Sequence, residues 1–118
     1  MIKDWKLSEL DIVGDVFEEL GKEIVENAKR HGFDSLQHEA IGLALIHAET
    51  SEALEGYRNG NPESEHIPRF SAVEEELADI VIRVIDHAYA RHYKLGEAII
   101  SKMRFNESRP VKHGGKRY

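Results

Sequence analysis

Ile12, Val16, Leu20 and Ile24 recur every fourth residue, and Phe17, Val25 and Ala28 widen them into a stripe. That spacing marks one face of a helix, so a first helix is predicted from about Leu10 to Arg30. His31-Gly32 supplies its stop, because glycine takes the left-handed conformation that ends a helix. Gly14, Gly21 and Ala28 repeat at intervals of seven. They are either a close-packed seam or glycines the helix tolerates at about 1 kcal/mol each.

Three further helices follow from the same signal. The second is predicted from about Ser35 to Tyr57, with Asp34 as N-cap and Gln37 three residues on. Its Ile41, Leu45 and Ala48 lie on one face and its Leu36, Ala40, Leu43 and Leu54 on the other, the pattern of a helix packed on two sides. Gly60 and Pro62 end it. Arg58 to Phe70, with Gly60, Pro62 and Pro68, reads as a loop. It is longer than the usual helix connection of about 2–8 residues, as mobile or functional loops often are. Ser71-Ala72-Val73-Glu74 is a capping box opening a third helix, whose apolar face is Val73, Leu77, Ile80, Val81, Val84, Ile85 and Ala88. A fourth runs from about Lys94 to Asn106, with Leu95, Ala98, Ile99 and Met103 inward. A basic tail occupies about 107–118. The expected fold is all-α: one domain over 1–118, four-helix bundle-like, with antiparallel neighbours.

Composition narrows the function. The net charge of −6 argues against a nucleic-acid-binding surface, which is usually basic. With no cysteine among 118 residues, thiolate metal sites and disulfides are excluded. Neither a signal peptide nor an apolar run of the ~18 residues a membrane span needs is visible, so the cytoplasm is the expected compartment and no membrane partner is expected.

Two acidic pairs carry the chemistry: Glu49-x-x-Glu52 and Glu76-x-x-Asp79. Spacing of three puts both members of a pair on one helix face. Glu49 and Glu52 continue the stripe of Ile41, Leu45 and Ala48, and Glu76 lies beside Val73 and Ile80. Carboxylates on core-facing stripes are costly unless paired or metal-bound. Two of them roughly 6 Å apart repel by about 3 kcal/mol at an effective dielectric near 20, and a divalent cation turns that repulsion into binding. Oxygen-only ligands favour a hard ion, Mg²⁺ or Mn²⁺. Acidic pairs also occur on solvated faces, and Glu74-Glu75-Glu76 lies where the helix dipole favours acids.

These residues resemble a known family. Glu49-x-x-Glu52 and Glu76-x-x-Asp79, within His47-Ala48-Glu49-Thr50-Ser51-Glu52-Ala53-Leu54-Glu55 and Glu74-Glu75-Glu76-Leu77-Ala78-Asp79-Ile80-Val81-Ile82-Arg83, are similar to the paired acidic motif of MazG-like nucleoside triphosphate pyrophosphohydrolases. Lys102-Met103-Arg104-Phe105-Asn106-Glu107-Ser108-Arg109-Pro110, followed by His113-Gly114-Gly115-Lys116, resembles the ending of small members. The resemblance runs from about Leu36 to Lys116. It implies an all-α homo-oligomer, a dimer or tetramer with sites between subunits, that hydrolyses a (d)NTP to the monophosphate and pyrophosphate with Mg²⁺. It makes Glu49, Glu52, Glu76 and Asp79 the metal ligands, and Lys102, Asn106, Arg109 and Lys116 the substrate-binding residues. Some relatives carry another acid just before the first motif glutamate as a general base. Ala48 stands there, leaving Glu75 or no separate base.

The seven histidines raise a di-iron alternative, which needs Glu-x-x-His on helices. Glu63-x-x-His66 has that spacing but lies in the proline-containing loop. His38, three turns before Glu49, is read as a hydrogen-bonded helix residue, and Trp5 and Phe17 as packing residues. The remaining alternative is a non-enzymatic oligomeric helical interaction module, supported by the two-sided second helix.

Overall fold

Four α-helices follow a 3₁₀ turn at Ile2–Asp4: α1 (Leu7–Arg30), α2 (Glu39–Arg58), α3 (Ala72–Ala90) and α4 (Leu95–Glu107). The computed structural model describes residues 1–110 and 117. Among these there is no strand, only a single antiparallel bridge between Glu63 and Ser71. The all-helical expectation holds, and the differences in element ends have identifiable causes.

α1 starts three residues early because Glu9 reaches back, its Oε2 accepting from the Lys6 amide at 2.6 Å. α2 starts late. Asp34 turns the chain instead of capping a helix: its Oδ1 accepts from the Leu36 amide and its carbonyl from the Gln37 amide. His38 is the N-cap, with Nδ1 accepting from the Ala40 amide at 3.2 Å. The segment between α1 and α2 is kept out of helix by Arg91. Its guanidinium donates to the carbonyls of Ser35 at 3.0 Å and Gln37 at 2.6 Å, which a helix would otherwise use. Charged hydrogen bonds of this kind contribute about 2 kcal/mol each. Arg91→Leu is therefore expected to cost at least about 2 kcal/mol in a urea titration. A loss of a few tenths would mean the clamp is idle.

α3 opens on the predicted capping box. The Ser71 hydroxyl accepts from the Glu74 amide and the Glu74 carboxylate from the Ser71 amide at 2.7 Å, which holds the Glu74 carboxyl below its usual range. The long loop is tied to the same helix end. Asn61, in the left-handed region at φ 49°, accepts from the Val73 amide, and the Pro62 carbonyl accepts from Ala72. Together they satisfy amides that a helix start leaves without partners.

α2 and α3 pack along their length. A Cβ on Gly56 would meet Val73 at 2.9 Å, Glu49 bonds Arg83, and a Cβ on Gly42 would meet His87 at 2.6 Å. These pairs run in opposite order along the two helices. α1 uses its glycines as a seam. Gly21 is buried against the Tyr89 ring of α3, where an added Cβ would lie 2.4 Å from Cγ, and Gly14 and Phe17 meet Gly96 of α4. Phe17 is therefore a packing residue. Glu107, still in α4, accepts from the Ile2 and Lys3 amides and fixes the 3₁₀ turn.

Two expectations fail within this chain. α1 and α2 are consecutive, yet among the described residues their backbones do not approach within 8 Å between Cα atoms; each packs on α3. α2 is not packed on two sides: Leu43, Leu54 and Tyr57 are exposed, as is Ile41 from the other predicted face, and Leu36 lies before the helix. The α1 stripe of Ile12, Val16 and Leu20, and Leu77 and Val81 of α3, also keep 45% or more of their surface in solvent, and Met103 points outward rather than in. Among the described residues, Ile2, Ala53, Val73, Ile85, Ala88 and Ile100 form the buried apolar core. The accessible surface of 9110 Å² compares with about 6,500 Å² for a monomer of this mass. The radius of gyration of 16.7 Å compares with about 13.5 Å for a chain of this length.

Candidate metal centre

The α2–α3 register brings the acidic motifs together. Glu49, Glu76 and Asp79 are half-buried and offer carboxylate oxygens that all lie within 4.8 Å of one another. Burial, and then the charges of Asp79 and Glu49, push the Glu76 carboxyl above its ordinary range. Burial and the Glu49 and Glu75 charges raise Asp79, while Arg83 and His66 pull the other way. Three oxygen-only donors held together against their own repulsion fit a hard divalent ion. Glu52 is exposed, one turn along α2. It stands outside the close triad but near enough for its charge to act on Glu76.

Arg83, one turn beyond Asp79 on α3, donates from Nε to Glu49 Oε1 at 2.6 Å. The spacing Glu76, Asp79, Arg83 and Asp86 puts four polar residues on one face. Sequence reading stopped at the acids, but the same three-and-four spacing extended two turns would have reached Arg83 and Asp86.

Glu75 is engaged elsewhere. It accepts from the hydroxyl of the buried Ser64 through one oxygen and pairs with His66 Nδ1 through the other at 2.6 Å. Ser64 Oγ in turn accepts from the His66 and Ile67 amides. Glu75 is thus the anchor of the long loop, and its place as a water-orienting base is not the one its contacts give it. The same bond raises the His66 pKa. His66 and Glu63 serve the loop and do not form a helical iron site.

A cavity of about 680 Å³ opens from the acidic cluster, within the usual range of about 300–1,000 Å³ for ligand sites. α3 supplies Asp79, Ile82, Arg83 and Asp86, α2 supplies Leu45 and Glu49, and Ile24 and Asn27 of α1 face them. It exists because α1 and α2 stand apart on α3. Lys102, Asn106 and Arg109 are not part of it. They are exposed on and just after α4, with the Lys102 ammonium and the Arg109 guanidinium both over the Phe105 ring. Lys116 and His113 lie outside the described residues. No family model, curated protein or solved structure matches this chain. The site rests on its own geometry and on the motif residues.

No helix among the described residues is long and apolar enough to cross a membrane.

Proposed function

We propose that this chain is a divalent-metal-dependent nucleoside triphosphate pyrophosphohydrolase of the MazG-like kind, releasing monophosphate and pyrophosphate from a (d)NTP. The observation that carries the reading is the convergence of Glu49, Glu76 and Asp79, from two motifs on two helices, beside a cavity of nucleotide size. Glu49, Glu76 and Asp79 hold the ion, Mg²⁺ or Mn²⁺, with Glu52 on the rim. A bound ion of this class neutralises phosphate oxygens and makes water a nucleophile at neutral pH. Arg83 adds a guanidinium suited to phosphate oxygens. Water adds to the α-phosphorus, the α–β P–O bond breaks, pyrophosphate leaves with the bridging oxygen, and the proton lost by the water passes to solvent. The test is product analysis with a panel of (d)NTPs and Mg²⁺. Monophosphate plus pyrophosphate is expected, and release of orthophosphate alone would sink the reading.

Lys102, Asn106 and Arg109 reach such a site only from another subunit, because α4 packs on α1 and away from the cavity. The exposed apolar stripes supply the means of assembly. The reading calls for a homodimer or homotetramer, with cavity and basic residues contributed by different copies. Val81→Lys is expected to give a monomer in sedimentation and to lower kcat/KM at least about tenfold, a loss of about 1.4 kcal/mol. An active monomer would separate the assembly from the site.

The second reading, a non-enzymatic helical interaction module, is favoured by those same apolar faces. It predicts that neither Mg²⁺ nor Mg²⁺ with nucleotide raises the melting temperature.

A further inference from the structure

The cavity has a direction. On α3, Asp79, Arg83 and Asp86 follow one another at four and three residues, all facing it. Asp79 to Asp86 is two helical turns, roughly 10 Å along the axis, which is the reach of a nucleoside from its α-phosphate to the far edge of its base. The walls are not polar throughout. Ile24, Leu45 and Ile82 are apolar, and the largely exposed Phe33 ring also lines the cavity. Such surfaces suit the faces of a flat aromatic ring, not a phosphate chain.

Asn27, Arg30, Ser35 and Gln37 also line the cavity, and among its polar groups Asp86 is an acceptor held by a neighbour. Asp86 Oδ1 accepts from the Ser35 hydroxyl at 2.7 Å. Ser35 is held in place by Arg91, which binds its carbonyl and that of Gln37. The carboxylate therefore sits on α3 with its orientation set by the Ser35 hydroxyl. An ionised carboxylate only accepts hydrogen bonds. A buried acceptor facing a ligand carbonyl would leave both groups unpaired, at a cost of about 1–3 kcal/mol.

We propose that the cavity between α1, α2 and α3 takes the nucleoside of the substrate, and that Asp86 selects bases carrying an exocyclic amino group over uracil and thymine. Cytosine, adenine and guanine each present an N–H₂ donor to such a group. Uracil and thymine present one ring N–H flanked by two carbonyls, whose oxygens a carboxylate repels. Selection arises from the penalty on the wrong base as much as from the bond to the right one. The inference rests on the triphosphate-hydrolase reading for its substrate class, but it makes a separate claim about binding.

Two measurements test it together. Pyrophosphate release from dCTP, dATP, dGTP, dUTP and dTTP is compared for the wild-type protein and Asp86→Asn, with Mg²⁺. Binding of dCMP, dAMP, dGMP, dUMP and dTMP is measured by calorimetry without turnover. Asparagine keeps the acceptor for Ser35 and adds an amide donor, and a thermal melt confirms that the variant folds. In the wild type, at least one amino-bearing base is expected to exceed both uracil and thymine by tenfold or more in kcat/KM and in monophosphate affinity. Asp86→Asn is expected to remove most of that gap by improving dUTP and dTTP while weakening the others. Equal treatment of all five bases by the wild type, or an equal loss for all five in the variant, overturns the inference and leaves hydrolysis standing. No hydrolysis with the base preference intact in monophosphate binding overturns the hydrolase reading and leaves this one. Absence of both overturns both.

Discussion

Asp79→Asn is expected to abolish metal-dependent hydrolysis and, in the absence of metal, to make the protein more stable. The several kcal/mol of transition-state stabilisation a bound metal supplies correspond to about a thousandfold in rate. The stability gain comes from the same charge. Glu49, Glu76 and Asp79 hold oxygens within 4.8 Å of one another, and neutralising one removes repulsion worth about 1 kcal/mol after solvent screening. For a domain of this size that is about 3–5 °C in melting temperature.

The pH dependence has a definite sign. In the folded protein the Glu76 carboxyl is raised by burial and by the charges of Asp79 and Glu49, and the Asp79 carboxyl by burial and by the charges of Glu49 and Glu75. The folded state therefore holds their protons more tightly than the unfolded chain. Their contribution is fully present below the unfolded carboxylate pKa of about 4 and is lost as pH rises through the raised folded values. Glu74 and Glu75 are shifted the other way, so the quantity to follow is the difference between variant and wild type. That difference should grow from acid to neutral pH without metal. Stabilisation of the wild type by Mg²⁺ should grow over the same range, because protons compete for its ligands. A variant that melts lower than wild type without metal and keeps the full Mg²⁺ shift would remove Asp79 from the site.

The helices were legible because their signals are local. The α3 capping box needs only Ser71 and Glu74, and the α1 stripe needs only a spacing of four. What was not legible depends on long-range partners. Asp34 and Gln37 satisfy the capping pattern as well as any sequence does, yet Arg91, more than fifty residues away, takes the carbonyls that a helix there would use. The second apolar face of α2 is real in the sequence, but nothing in a spacing says whether a neighbour lies in the same chain. Within the site, spacing placed Glu49 and Glu52 on the core-facing stripe of α2 and Glu76 beside that of α3, with Asp79 farther round; the convergence of Glu49, Glu76 and Asp79 follows from the α2–α3 register. Glu75 shows the limit. Adjacent to Glu76, it looks equally available until Ser64 and His66 are brought against it by the loop.

Arg83→Gln should move metal affinity and substrate affinity in opposite directions. The Arg83 guanidinium holds Glu49 Oε1 at 2.6 Å, with the arginine side chain 40% exposed and the glutamate 16%. A cation that takes Glu49 as a ligand must compete with that bond and with the positive charge beside it. Glutamine removes the charge, so Mn²⁺ alone should bind about tenfold more tightly, a gain of about 1.4 kcal/mol. The triphosphate gains nothing from this. It loses a guanidinium able to bind phosphate oxygens in two places at once, and KM for the best (d)NTP should rise about tenfold or more. Arg83→Lys keeps the charge without the fork geometry, so Mn²⁺ affinity should stay near wild type while KM still rises. A purely structural arginine behaves differently: Arg83→Gln would then loosen the α2–α3 contact and weaken metal and nucleotide binding together. Calorimetry with Mn²⁺ alone, set beside steady-state kinetics, separates the two. Metal affinity that falls in Arg83→Gln would mean that Arg83 builds the carboxylate cluster instead of guarding it.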